Sequence, residues 1–364
     1  MKIPQEFRFL LDACRFDRDI HPSMQDYEAI NLQLAAEIAG KNGLSALFYR
    51  FLKRSGSVPA EILCRLKADY ENNLTKQILW WEELGRIIEK FRSSGIRVVP
   101  LKGIVLMETL YPEPGMRPLE DIDILVRSSD MMRSAGLLCE TGYTAVLPEQ
   151  ISWMANNSLA IPLRREGFYV ELHGDLINNR SYASTVNLDM EKIWANTRKI
   201  TVSGSELTSL SPEDFLIHLC LHLSVMHGLS GLFWHLEICE FLNKEKIRWE
   251  VFRTRAKEFK IEKAVYLPLY FQQELFGKSS VPEIDCQAGR FEKKIWEGNI
   301  LKPKGRFDLL SVWFLLERRR IKTLAGAFFS CRGLSLLKGA VHSVKLLADF
   351  LASLASVFKS GSKE

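Results

Sequence analysis

The stretch EDIDILV, residues 120–126, sets two carboxylates at the head of an apolar run. Successive side chains of a strand point to opposite faces, so Asp121 and Asp123 share one face while Ile122 and Ile124 share the other. Like charges a few ångströms apart repel, and each makes ionisation of the other harder. Such a pair persists where something positive sits between or beside the two groups, and a hard divalent cation is the natural partner. Taken alone, Asp-x-Asp also fits a solvated strand end, or salt bridges to Arg117 and Arg127.

Working outward, IRVVPL at 96–101 reads as a strand, GIVLMETLY at 103–111 as a helix and PEPGMRP at 112–118 as a loop. Beyond the aspartates, residues 128–142 read as a helix with a serine or aspartate cap and a terminal glycine. Residues 158–173 read as a hairpin turning at Arg165-Glu166-Gly167, and a second hairpin is expected around Ser203-Gly204-Ser205. The first hairpin carries FYVELHG at 168–174, where Glu171 lies between Val170 and Leu172. Three acids on neighbouring strands, Asp121, Asp123 and Glu171, would hold two cations about 4 Å apart, the spacing used for in-line displacement at phosphorus. Glu171 has a plainer alternative, pairing with Arg164 or Arg165 across the hairpin.

The turn LKG at 101–103 ends a strand and begins a helix. Gly103 would let the backbone approach a phosphate, with the free amides of a helix N-terminus beside it. Lys102 and Arg117 would add charge to the same phosphates, although Lys102 is equally readable as a surface lysine. His173 shares a face with Glu171 and either orients a carboxylate or touches an acceptor; a structural histidine fits equally well. His218 and His222 are spaced for one helical face, with His227, Trp234 and His235 following. The glutamate of the H-E-x-x-H motif is missing, so zinc is disfavoured and a lining role in a cleft is the better reading, one equally open to Trp234 and Glu237.

Around this centre the pattern is helical. Residues 26–54 read as two short helices broken near Gly40 and Gly43, and 59–92 as one long helix with Pro59 at its first position and Gly95 at its stop. In that helix Ile62, Leu63, Leu66, Tyr70, Leu74, Ile78, Trp81, Leu84 and Ile88 keep to helical spacing. SPED at 211–214 opens a second helical stretch that reads as running to about 358. The expected fold class is α+β: a small mixed sheet at 95–210, flanked by helical regions at 1–94 and 211–364.

The bulk numbers bound the rest. The chain has 364 residues, of which 47% are apolar, enough for a sizeable core. Its net charge of +5 is mild and argues against nucleic acid as partner. Seven cysteines stand at 14, 64, 139, 220, 239, 286 and 331 with no C-x-x-C pair, which reads as free thiols in a reduced compartment. No signal peptide and no spanning helix are read, so a cytoplasmic location is expected. From 318 to 364 there are nine Lys or Arg and two acids among apolar runs. That tail reads as a helical cap with a basic outer face, or alternatively as a surface for peripheral membrane contact.

The order strand, Lys-Gly turn, helix, loop, arginine, Asp-x-Asp strand, then Glu171 between apolar neighbours, resembles the nucleotidyltransferase superfamily typified by DNA polymerase beta. More narrowly, LKGIVLMETLY, Arg117-x3-DIDILV, VELH and SPEDFLIHLCLHL look like the bacterial family of uncharacterised nucleotidyltransferases, over roughly residues 60–275. The wider superfamily usually carries Gly-Ser where this chain has Lys102-Gly103, and the segment before the aspartates is longer here than in many members. The resemblance implies a mixed sheet within an α-helical body, metal ligation by Asp121, Asp123 and Glu171, and phosphate contact around Gly103. The expected activity is magnesium-dependent transfer of a nucleoside monophosphate from a nucleoside triphosphate to a hydroxyl-bearing acceptor, with two ions and with manganese as an alternative. The acceptor would be a small molecule, a sugar, a peptide or a protein. The competing expectation is a nucleotide-binding or scaffolding protein with little catalysis.

Overall fold

The computed structural model describes residues 4–17, 30–54, 58–146, 148–156, 160–178, 183, 186–277 and scattered positions from 288 to 300. The basic tail and the helices read beyond 300 lie outside the described residues. Helices α1 (Gln5–Ala13), α2 (Leu32–Lys41) and α3 (Ser45–Leu52) come first. The 34-residue α4 (Ala60–Ser93) follows, with Pro59 just outside its first turn and Gly95 just past its end in the left-handed region. None of the described helices is long and apolar enough to cross a membrane.

The face that α4 buries differs from the apolar stripe. Ile62, Leu66 and Leu84 are buried, but Asn73, Gln77 and Glu83 are buried too, and Ile78 is 55% exposed. Gln77 and Glu83 are inside because they have partners. Gln77 accepts from the Gly115 amide at 2.6 Å and donates to Glu108 at 2.8 Å, while Glu83 accepts from Tyr143 at 2.8 Å and from Arg165 at 2.7 Å. A buried polar group that finds such partners avoids its desolvation penalty.

The chain then alternates: β1 (Val98–Pro100), α5 (Lys102–Thr109), β2 (Ile122–Val126), α6 (Met131–Glu140), β3 (Thr144–Ala145), α7 (Ile151–Asn156), β4 (Ile161–Arg165) and β5 (Phe168–His173). These strands form one sheet in the order β1-β2-β5-β4-β3, parallel at β2–β5 and antiparallel elsewhere. The β4–β5 turn is Glu166-Gly167, with φ of 38° and 88°. Two positive φ values are what the tight turn matching strand twist requires. After α8 (Met190–Ala195), the hairpin of β6 (Arg198–Val202) and β7 (Ser205–Ser209) turns the same way at Ser203-Gly204. In place of a side-chain cap, α6 is entered through a 3-10 turn at Ser128–Asp130, because the Ser128 hydroxyl donates to the Gly174 carbonyl instead.

Helix α9 (Pro212–Leu221) starts as SPED suggests: the Ser211 hydroxyl accepts from the Asp214 amide at 3.3 Å, with Pro212 in the first turn. The helical stretch read beyond it is divided into separate elements. A π-helical turn occupies His222–Met226, and the chain then bends through Gly228, Leu229 and Gly231, all at positive φ, before α10 (Leu232–Lys244). Helices α11 (Trp249–Glu258) and α12 (Glu262–Phe276) complete the described body. Buried apolar side chains from α1 through α12 belong to one contiguous core. The mixed sheet within helices is the architecture of the α+β class.

Candidate metal centre

The register of the two parallel strands sets Asp123 opposite Glu171 and Leu125 opposite His173. One ligating atom from each of Asp123, Glu171 and His173 lies within 4.8 Å of the other two. His173 donates from Nε2 to Asp123 Oδ1 at 2.7 Å, and the same nitrogen lies 3.5 Å from Glu171 Oε2. Lys102, at the turn between β1 and α5, puts its ammonium 3.0 Å from the other Asp123 oxygen, Oδ2. The turn is pinned to β2 by the Leu101 amide, which donates to the Asp123 carbonyl at 2.9 Å. Tyr169, two residues before Glu171 and so on its face of β5, donates its hydroxyl to the Glu171 carboxylate.

Burial and charge act unequally on the acids. Burial opposes ionisation of Asp123, yet the Lys102 ammonium and the His173 hydrogen bond hold its carboxyl below the usual range. Asp121, at the mouth of the strand, has no such ion pair. Burial and then the Asp123 charge push its carboxyl well above the usual range, against the opposing pull of Lys102. Burial also raises Glu171. Three carboxylates thus face one ammonium, and the surplus is negative.

Three of the arginines that would have made these acids ordinary salt bridges, Arg117, Arg127 and Arg165, are engaged elsewhere. Arg127 pairs with Glu191, and Arg165 with Glu83. Arg117 pairs with Glu237 on α10, giving Nε at 2.7 Å and Nη2 at 3.3 Å to its two oxygens. Its guanidinium also lies over the Phe233 ring, and the side chain is 5% exposed. This placement differs from the open phosphate clamp expected of Arg117. Gly103 differs in the same way: a Cβ there would lie 2.3 Å from Arg117 Nη1, so its missing side chain makes room for the guanidinium.

His218 and His222 flank the centre from α9 and the π turn. Burial and the nearby Lys102 charge hold both imidazoles below the ordinary range, His218 down to about 3. His222 approaches His227, Nε2 to Nε2, at 3.3 Å, and Trp234 stacks on His227 with centroids 4.8 Å apart. Neutral imidazoles and an indole make a polar, aromatic wall rather than an anion site. Among the described residues they join no metal-ligating cluster; Asp123, Glu171 and His173 form the one such group.

Sequence reasoning missed Tyr169, although the alternation of β5 sets it on the face of Glu171. It read Glu237 as a residue open to lining the cleft, and its pairing with Arg117, 120 residues away, left no local signal. The left-handed backbone at Lys102, with φ of 44°, is likewise not legible in the sequence. The donor set fits a divalent cation: two carboxylates suit a hard ion such as magnesium or manganese, and His173, donating from Nε2 to Asp123, orients one of them.

No curated protein and no solved structure matches the chain. A family model described as "uncharacterised nucleotidyltransferase" matches residues 28–277, well over half the sequence and the whole of the sheet with its carboxylates. The chain belongs to the uncharacterised nucleotidyltransferase family.

Proposed function

We propose that this protein transfers a nucleoside monophosphate from a nucleoside triphosphate to a hydroxyl-bearing acceptor, using magnesium or manganese at the centre between β2 and β5. The single observation that carries the reading is the convergence of Asp123, Glu171 and His173 within 4.8 Å, beside the further acid Asp121. A divalent ion there would supply Lewis acidity toward a phosphoryl oxygen and make a bound acceptor hydroxyl more acidic, hence easier to activate as nucleophile. The chain's own residues do the rest. Asp123 and Glu171 are the ligands, His173 and Tyr169 hold those carboxylates in place, and Asp121 adds negative charge at the mouth. The amides at the start of α5 and the Lys102 ammonium lie where triphosphate oxygens would approach. His218, His222 and Trp234 form the wall on which an acceptor would rest.

One observation favours a second reading, a nucleotide-binding scaffold with little chemistry: the ion pair of Lys102 with Asp123 already compensates one carboxylate. Incubation with each labelled nucleoside triphosphate, magnesium and fractionated cell extract separates the two. Transfer of label to a component of the extract, lost in Asp123→Asn and Glu171→Gln, is expected. Nucleotide binding without transfer for any of the four bases would establish the scaffold instead.

A further inference from the structure

The place of Lys102 asks for its own explanation. Its backbone is left-handed, at φ of 44°, a conformation that costs a side-chain-bearing residue about 1–3 kcal/mol unless the surroundings hold it there. The side chain is 11% exposed, yet it ends in a charge. Two contacts fix the turn from either side: the Leu101 amide on the Asp123 carbonyl, and the Arg117 guanidinium packed over Gly103. The ammonium is delivered to Asp123 Oδ2 at 3.0 Å, while Oδ1 is taken by His173 at 2.7 Å.

A carboxylate that bridges two metal ions gives one oxygen to each. Asp123 has its two oxygens divided differently. Oδ1 accepts one hydrogen bond from His173 Nε2, which itself lies 3.5 Å from Glu171 Oε2, so the other ligating atoms gather on that side; Oδ2 faces an ammonium that is part of the chain.

We infer that Lys102 takes the place of the second cation, so that this site binds a single divalent ion on the Oδ1 side of Asp123 and uses a permanent ammonium on the Oδ2 side. The inference rests on the nucleotidyltransferase reading and departs from the two-ion site expected from sequence. A tethered ammonium supplies positive charge at a fixed place but offers no open coordination position. The one metal ion and Lys102 therefore divide the work: coordination falls to the ion, and charge compensation is shared.

Manganese can be counted directly. The full-length protein is loaded with Mn2+ and a non-hydrolysable nucleoside triphosphate analogue, then studied by low-temperature electron paramagnetic resonance, which distinguishes an isolated ion from a spin-coupled pair. Native protein and Lys102→Arg are expected to show isolated Mn2+ in the site. Lys102→Ala, which frees Oδ2, is expected to show a coupled pair, a change from one ion to two. A coupled pair in the native protein overturns the inference and leaves the transferase reading intact; this arm needs no variant to fold. Isolated Mn2+ in a folded Lys102→Ala protein also overturns it. Failure of the native protein to bind either Mn2+ or the analogue overturns the transferase reading and this inference together.

Discussion

Two clusters of buried charge stand four residues apart in sequence, at Arg117 and Asp121, and are built on opposite plans. Around Arg117 every charge has a fixed opposite: the guanidinium meets both Glu237 oxygens and the Pro118 carbonyl, and the Tyr111 hydroxyl donates to Glu237 at 3.0 Å. Around Asp123 the count does not close, since Asp121, Asp123 and Glu171 share one ammonium. Burial of charge is common to both, so burial does not mark the functional one. Imbalance is what separates them, and a carboxylate perturbed by burial and by neighbouring charge is the kind of group that marks a candidate site.

The largest effect that tests this contrast is on the closed cluster. Glu237→Ala leaves the Arg117 guanidinium buried without its partner, and loss of one member of such a pair costs about 3–5 kcal/mol. Urea unfolding is expected to show that loss. A change under about 1 kcal/mol would remove the distinction between the clusters.

Substitutions at the two aspartates come next and should diverge. In metal-free protein Asp123→Asn takes the ionised partner from Lys102 and is expected to cost about 1–3 kcal/mol, the desolvation penalty of a buried group left unpaired. The charge relief that a cluster of acids suggests belongs to Asp121. Its carboxyl is raised in the folded state, so the folded protein takes up a proton at higher pH than the unfolded chain does. This penalty is greatest at high pH, where both states are ionised, and falls away as pH drops through the folded value toward the unfolded value of about 4. Asp121→Asn should therefore melt higher than native at pH 8, with a smaller gain at pH 5. Equal shifts for both variants at both pH values would show that the two acids share one environment.

The smallest effect is expected at Ile78, apolar in pattern but 55% exposed on α4. Ile78→Ser should stay within about 0.5 kcal/mol of native in thermal unfolding. A larger loss would place Ile78 in an interface.

That last residue shows where sequence reasoning reaches and where it stops. Local chemistry was legible: Glu166-Gly167 and Ser203-Gly204 turn as tight hairpins, Ser211 caps α9, and strand alternation puts Asp123 and Glu171 in one register. Long-range partnership was not. Nothing near Gln77 or Glu83 announces that Gly115, Tyr143 and Arg165 will satisfy them, so the periodicity of α4 selected Leu74 and Ile78 for a face that turns partly polar. Arg117 was read by its position before the aspartates, whereas its surroundings are set by Glu237 on a helix more than a hundred residues later. The π turn at His222–Met226 interrupts a run of good helix formers for reasons of packing that no propensity records.

The single parallel pairing in the sheet has a consequence for how the molecule comes together. The strands on either side of it are joined by nearby antiparallel neighbours: β1 with β2 on one side, β3 with β4 and β5 on the other. Each of these groups can close over a short stretch of chain, but β2 meets β5 only after some forty residues have been ordered between them, and such distant pairings form late. Asp123 arrives with the first group, Glu171 and His173 with the second. The repulsion between the Asp123 and Glu171 carboxylates is thus postponed to that closure, and a divalent ion bound between them would clasp the two halves of the sheet together.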